Sequence, residues 1–241
     1  MKALFISDLH LSDDTPATLA AFDALLAGPA RGVDALYILG DLFEYWAGDD
    51  DDTPLARHVA AGLRVLAETG VRLHFLAGNR DFLLGDAYAE GASLRRLDEP
   101  TEIELDGQRV LLSHGDTLCT DDLAYQQFRR LVRSDAWQAD FLAKPLAERR
   151  AIVDDLRRRS QQATREKPME IMDVNDTAVE TLLRRHDYPT LIHGHTHRPA
   201  RHVHRVDGHD CVRWVLSDWH DDAPWLLWDG PRGFVTGRTA A

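Results

Sequence analysis

The sequence predicts a mixed α/β (α+β) fold in which two sheets pack as a sandwich flanked by helices. Two patterns carry this. Over the first 80 residues, short apolar runs alternate with segments of helical spacing, which marks βαβ units and a largely parallel sheet. Further along, strand-like segments flank Asp106-Gly107-Gln108 and Asp207-Gly208-His209, which marks two antiparallel hairpins. Two stacked sheets accommodate both kinds of segment. With 241 residues, 44% of them hydrophobic, the chain is long enough for one substantial core.

The first strand is the apolar run Ala3-Leu4-Phe5-Ile6, ending at Ser7-Asp8. Residues 15–27 place Leu19, Phe22, Leu25 and Leu26 at helical spacing behind Thr15-Pro16, a pair suited to a helix start. Ala35-Leu36-Tyr37-Ile38-Leu39 is the second strand and ends at Gly40-Asp41. A helix over 53–68 stops ahead of Gly70, which suits a C-terminal cap. Residues 73–77 form a third strand, ending at Gly78-Asn79. The hairpins join 101–105 to 109–113 and 201–206 to 210–217, and residues 121–167 have helical composition. The expected organisation is one domain over 1–241 with a helical insertion at 121–167.

Polar residues of one chemistry stand where these strands end. They are Asp8 and His10 in SDLH, Asp41 in GDLF, Asn79 in GNRD, His114 in SHGD, and His195 and His197 in GHTH. Ligands in open α/β sheets gather beyond the carboxyl ends of the strands, so these seven should converge at one edge. Alone, an Asp-x-His is commonly a turn or a cap, and GD or GN is commonly a turn. GHTH says more, because histidines two apart on an extended strand share a side. Together, in this order and each behind an apolar run, they predict a two-metal site. A carboxylate such as Asp41 bridges two cations, and a hydroxide held between them attacks a phosphate ester or anhydride without a serine or cysteine nucleophile. Imidazole and carboxylate without thiolate suits manganese, iron or zinc. The acidic run 49–52 reads as a solvated loop, and Asp218 receives no role.

Composition narrows the partners. A net charge of −12 argues against nucleic-acid binding, which is carried by Lys and Arg. Two distant cysteines, Cys119 and Cys211, predict no disulfide framework and a reducing compartment. The N-terminus lacks signal-peptide features, and no stretch approaches the roughly 20 apolar residues that span a bilayer. The expected protein is soluble or peripheral.

The segment between the ligand-bearing strands differs from the rest. Residues 129–167 hold eleven Lys/Arg against six Asp/Glu, a net of +5 in an acidic chain, interleaved with Leu131, Trp137, Phe141, Leu142, Ile152 and Leu156. One reading is an ordinary helical excursion with a solvated face. The other is a substrate-covering lid, since insertions at the active edge of a sheet often serve as lids.

With these residues in hand, the chain resembles the calcineurin-like metallophosphoesterase superfamily, whose blocks DxH, GDxx, GNxx, HGD and GHTH span Asp8 to His197. The resemblance implies a β-sandwich flanked by helices with a di-metal centre. Asp8, His10, Asp41 and His197 would hold one metal; Asp41, Asn79, His114 and His195 would hold the other, with Asp41 shared. Many members carry GNHE, with a histidine in a transition-state or leaving-group role; here Arg80-Asp81 follows Asn79. Arginine does not act as a general acid at ordinary pH but grips phosphate oxygens bidentately. That favours an anhydride, whose leaving group needs little protonation.

SDLHL, GDLFEYW, GNRDF, HGDTLCTDD, the insertion and IHGHTHRP are similar, more narrowly, to the UDP-2,3-diacylglucosamine diphosphatases of bacterial lipid A biosynthesis. This implies hydrolysis of a nucleotide-sugar lipid pyrophosphate by water attack on the α-phosphorus, releasing UMP and 2,3-diacylglucosamine 1-phosphate, with two Mn²⁺ per chain. It implies catalytic roles for Asp41, Asn79, Arg80, His114 and His195, and substrate contacts by Asn79, Arg80, Asp122, Ser160, Thr164, Lys167 and His195. A monomer peripheral on the cytoplasmic face of the inner membrane is expected. Trp137, Phe141 and Ile152 are candidates for an acyl groove or for ordinary packing beneath the insertion. Another metallophosphoesterase, such as a nucleotide phosphodiesterase or dinucleotide hydrolase, has no use for so apolar and basic a cover. A scaffold that lost its metals is opposed by the intact ligand set.

Overall fold

A computed structural model describes the backbone of residues 1–166 and 169–240, and their side chains except at 161–166, 169 and 170. One sheet has six strands: β1 (Lys2–Ile6), β2 (Ala35–Leu39), β3 (Arg72–Leu76) and β4 (Leu94–Leu97) run parallel. The other sheet has five strands, in which β5 (Thr101–Leu105) and β6 (Gln108–Leu112) form the first predicted hairpin. Next to β6 lies β7 (Thr190–His193), then the second hairpin, β8 (Ala200–Val206) and β9 (His209–Val215), with β9 against β7. The six-stranded sheet is completed by β10 (Asp222–Asp229), antiparallel to β1, and β11 (Phe234–Ala240) outside it.

Helices cover the outer faces. Against the six-stranded sheet pack α1 (Pro16–Ala27), α2 (Pro54–Glu68) and α3 (Asp86–Gly91). The insertion forms α4 (Leu123–Val132), α5 (Asp135–Leu142) and α6 (Leu146–Glu166); α7 (Asp176–Arg185) covers the five-stranded sheet. Alternation along each strand divides the layers. In β1, Leu4 and Ile6 face the helices with Phe22, Leu25, Val59 and Leu63, while Ala3 and Phe5 face the other sheet with Val110, Leu112 and Ile192. Because both faces of β2 are covered, its sequence is apolar throughout and all five residues are buried.

The helix ends show which local signals operate. Thr53 accepts a hydrogen bond from the Ala56 amide and so caps α2, and Gly70 follows it at φ +95°. Thr15 precedes α1 but makes no side-chain cap, its hydroxyl donating instead to the Ser12 carbonyl. Pro16, at the first turn, supplies the start alone.

Phe5 is fully buried and stacks on Tyr37 at 5.1 Å, joining β1 to β2 on the inter-sheet face. Phe5→Ala should lower unfolding free energy by ~3–5 kcal/mol, read as a shift of the urea midpoint at unchanged slope. A shift equivalent to less than about 1 kcal/mol would show that this layer is not a close-packed core.

Candidate two-metal active site

The carboxyl ends of β1, β2 and β3 in one sheet, and of β6 and β7 in the other, meet at one edge of the sandwich. There the structure brings all seven predicted ligands together. His10 Nε2 lies 3.4 Å from His197 Nε2 and 3.8 Å from Asp41 Oδ2, which is 3.7 Å from His114 Nε2. His197 Nε2 is 3.5 Å from Asp8 Oδ1. Asn79 Oδ1 sits 2.9 Å from His114 Nε2 and 2.7 Å from His195 Nδ1. Asp8, His10 and His197 present ligand atoms within 4.8 Å of one another, as do Asp8, Asp41 and His114. Asp8 is thus as central as Asp41, and its carboxylate also accepts the His195 amide.

The backbone is bent to achieve this. Asp8, His10, Asp41, His195 and His197 all have positive φ, between 49° and 68°. A side chain in that region costs on the order of 1 kcal/mol or more and persists only where its surroundings hold it. The loops after β1 and β2 supply the hold: the Asp8 amide donates to the Gly40 carbonyl, His10 to Asp41 and Leu11 to Leu42, at 2.9–3.0 Å. Asp81, fully buried, accepts from the amides of Gly78, Leu42 and, at 3.3 Å, Asp41, tying the third loop to the second. Two glycines are required by contact: a Cβ on Gly78 would collide with the Asp41 carboxylate, and one on Gly194 with Asp8.

Groups behind the imidazoles set which nitrogen faces inward. His114 Nδ1 is 2.9 Å from the Leu39 carbonyl, so it carries the proton and leaves Nε2 to the site. His10 Nδ1 lies 3.0 Å from Glu44 Oε2, at ion-pair distance though not aligned as a hydrogen bond, and His197 Nδ1 lies 3.3 Å from Asp218 Oδ2. Such carboxylate partners orient metal-binding histidines. His10 Nε2 and His197 Nε2 face each other at 3.4 Å, where at most one can donate to the other. Carboxylate and imidazole atoms converging on each other, without thiolate, fit a divalent cation.

Sequence reasoning missed Glu44 and gave Asp218 no role. Glu44 lies inside GDLFEYW, but only folding sets it behind His10. His193, just ahead of GHTH, also went unread. It is fully buried, its Nε2 is 3.1 Å from the guanidinium of buried Arg213, and its ring packs where a Cβ on Gly115 would stand.

The expected substrate contacts are placed unevenly. Asn79 and His195 are in the cluster. Arg80 adjoins it, donating its amide to Asp41 Oδ1 at 2.8 Å, while its buried Nε has no hydrogen-bond partner. Asp122 is buried and caps α4 by accepting the Tyr125 amide, and Tyr125 stacks on His195 at 5.8 Å. Ser160 is exposed on α6. Lys167 and the side chain of Thr164 lie outside the described residues.

Several cations of the insertion pair with the body of the protein. Arg129 pairs with Asp116 and Glu99, which flank His114, and Arg133 donates to the Gly78 carbonyl beside Asn79. From α6, Arg149 pairs with Asp50, Arg150 with Asp51 and Arg157 with Glu44. The acidic run 49–52 is therefore no free solvated loop, because Asp49 also binds Trp46 and the Gly85 and Tyr88 amides. Phe141 is buried in the helix-side core, with Trp137 stacked on it at 4.9 Å and Ile152 packed alongside.

Fold and site together define a metal-dependent phosphoesterase, and residues 1–199 match the family described as calcineurin-like phosphoesterase. The chain belongs to that family, which implies divalent-metal binding. It is 66% identical over 230 residues to a protein of Aromatoleum aromaticum named UDP-2,3-diacylglucosamine hydrolase, covering 95% of this chain and 94% of that one. Proteins of the same name from Chromobacterium violaceum and Aeromonas hydrophila are 54% and 49% identical, covering 91% of both chains and 94% of both chains respectively.

Protons compete with a cation for this site. Burial pulls the His114 ring down, but the carboxylates of Asp41, Asp8, Asp116 and Glu99 outweigh it and hold the ring at about 9. Burial likewise lowers His197, and Asp218 and Asp8 bring it to about 10. Burial and the charge of His114 leave His195 at about 4. In the metal-free protein His114 and His197 therefore carry protons at neutral pH and stabilise the fold. That stability is complete below about 6.5 and is lost as pH rises through about 9 to 10. Loading with Mn²⁺ at pH 7 should release about two protons, and affinity should rise with pH until both rings are neutral. Calorimetry in buffers of different ionisation enthalpy reads this directly; heats independent of the buffer would contradict it.

Proposed function

We propose that the chain hydrolyses the pyrophosphate bond of UDP-2,3-diacylglucosamine, giving UMP and 2,3-diacylglucosamine 1-phosphate in lipid A biosynthesis. The observation that carries the substrate class is Arg80. It stands beside the ligand cluster with a buried, unpartnered Nε, where it can bind a phosphoryl oxygen and cannot act as an acid. The phosphate monoester expelled from a pyrophosphate leaves without needing a proton, so this arrangement suits an anhydride. The names of the 66%, 54% and 49% identical relatives support the same substrate.

A pair of divalent cations, manganese in this reading, would be held by Asp8, His10, Asp41, Asn79, His114, His195 and His197, and would supply an activated water and neutralise charge on the phosphoryl oxygens. The remaining work falls to the chain. Leu39, Glu44 and Asp218 fix the inward nitrogens of His114, His10 and His197. Asn79 and Arg80 bind phosphoryl oxygens, and the insertion covers the substrate. No helix among the described residues is long and apolar enough to cross a membrane. Leu123 and Leu131 on α4 are 70% and 57% exposed. These side chains support peripheral contact with a lipid surface, where a diacylated substrate resides.

Asp41→Ala should reduce turnover of the diacylated UDP-sugar by at least ~10³-fold, since buried Asp41 lies between His10 and His114. Wild-type-like turnover would refute the site. Arg80→Lys should retain partial activity and Arg80→Ala much less, read as kcat/KM. In oxygen-18 water the label should enter UMP; label in the lipid phosphate would place attack on the other phosphorus.

A further inference from the structure

Three arginines of α6, Arg149, Arg150 and Arg157, pair with carboxylates on the body of the protein, and one of these contacts reaches the ligand cluster. Arg157 Nε donates to Glu44 Oε1 at 2.9 Å, while Glu44 Oε2 lies 3.0 Å from His10 Nδ1. The two oxygens of one carboxylate thus face a helix of the insertion on one side and a predicted metal ligand on the other. Glu44 is largely buried, and Arg157 and His10 are about three-quarters covered or more. Two further pairs on the same helix, Arg149 with Asp50 and Arg150 with Asp51, seat it on the loop that follows Glu44.

His10 is the ligand most in need of such support. Its backbone is in the left-handed region at φ 49°, and its Nε2 faces His197 Nε2 at 3.4 Å. Leu39 performs the same service for His114 with a rigid backbone carbonyl, whereas Glu44 is a side chain with its own rotamers. A flexible carboxylate positions a ring only if something holds the carboxylate, and Arg157 does so from outside the sheet. Arg80 adds positive charge nearby.

We propose that Glu44 is a positioning residue for His10, and that Arg157 holds Glu44 in that position. Seating of helix α6 and cation binding at the His10 end are then coupled. Coupling of this kind is reciprocal: a cation at His10 favours the seated helix by the factor by which the seated helix favours the cation. The insertion is on this view part of the metal site as well as a cover for substrate. The inference rests on the metal-centre reading above.

Mn²⁺ alone, titrated into metal-stripped protein and followed by the electron paramagnetic resonance signal of free Mn²⁺, separates the cases. Glu44→Gln should weaken binding about 10-fold, within the range for partners behind metal-binding histidines. Arg157→Gln should weaken it by a smaller factor, Arg157→Lys should restore part of the loss, and the double variant should be no weaker than Glu44→Gln alone. Arg158→Gln, which removes a guanidinium whose ion pair among the described residues is with Asp155 of its own helix, should bind as wild type. Glu44→Gln binding Mn²⁺ as wild type would overturn the proposal, as would losses that multiply in the double variant. Should Glu44→Gln fail to fold by circular dichroism, Glu44→Asp against Arg157→Gln gives the same cycle. Wild-type protein that takes up no Mn²⁺ would refute the metal centre itself, a result distinct from both.

Discussion

Two carboxylates, Asp8 and Asp41, are buried at the edge where the sheets meet, and among the described residues neither has an arginine or lysine at ion-pair distance. Burying a charge without a countercharge is among the most expensive things a fold can do. Imidazoles fill the gap. His197 faces Asp8, and His10 and His114 face Asp41 from either side. Two of those rings are held protonated well above the ordinary histidine range by the carboxylates around them. The left-handed backbone at five ligands, the glycines that cannot bear a Cβ and the buried Asp81 follow from packing so much like chemistry into one small volume. A cation answers the same electrostatic need that the protons answer in its absence.

A second layer of charge surrounds the first with opposite sense. The insertion is basic, the loops it meets are acidic, and the two pair at Asp116, Glu99, Glu44, Asp50 and Asp51. Exposed ion pairs contribute little, but Arg149 is almost fully buried, and its bonds to Asp50 and to the Ala47 and Lys144 carbonyls leave it satisfied. The basic, apolar composition of residues 129–167 allowed either a solvated helical excursion or a substrate-covering lid. Five of its cations, Arg129, Arg133, Arg149, Arg150 and Arg157, hold the insertion to the ligand-bearing loops and the acidic run beside them, while Arg80, outside the insertion, keeps a buried, unpartnered Nε next to the cluster.

Much of the site was legible before folding because each ligand directly follows an apolar strand, and a parallel strand delivers whatever follows it to one edge of the sheet. The βαβ half and both hairpins were legible for the same reason: period, turn residues and caps are local. Strands β10 and β11 were not. DAPWLLWD contains a proline and reads as no strand by alternation; it becomes one because β1 offers it an antiparallel partner and Trp228 a place between the sheets. Glu44, Asp218 and His193 escaped for a related reason, since an orienting group is defined only by what lies on its far side.

By itself, then, the sequence determined the chemistry on offer: which residues could hold cations, in what order strands present them, and that arginine rather than histidine follows Asn79. Tertiary structure decided the rest. It set which carboxylate stands behind which imidazole, how central Asp8 is, and where the insertion's charge is spent. The physical reason is range. Strand period and turn conformation act over a few residues and are written in them, whereas an ion pair such as Arg157 with Glu44 joins positions more than a hundred residues apart, and only the folded chain brings them within reach.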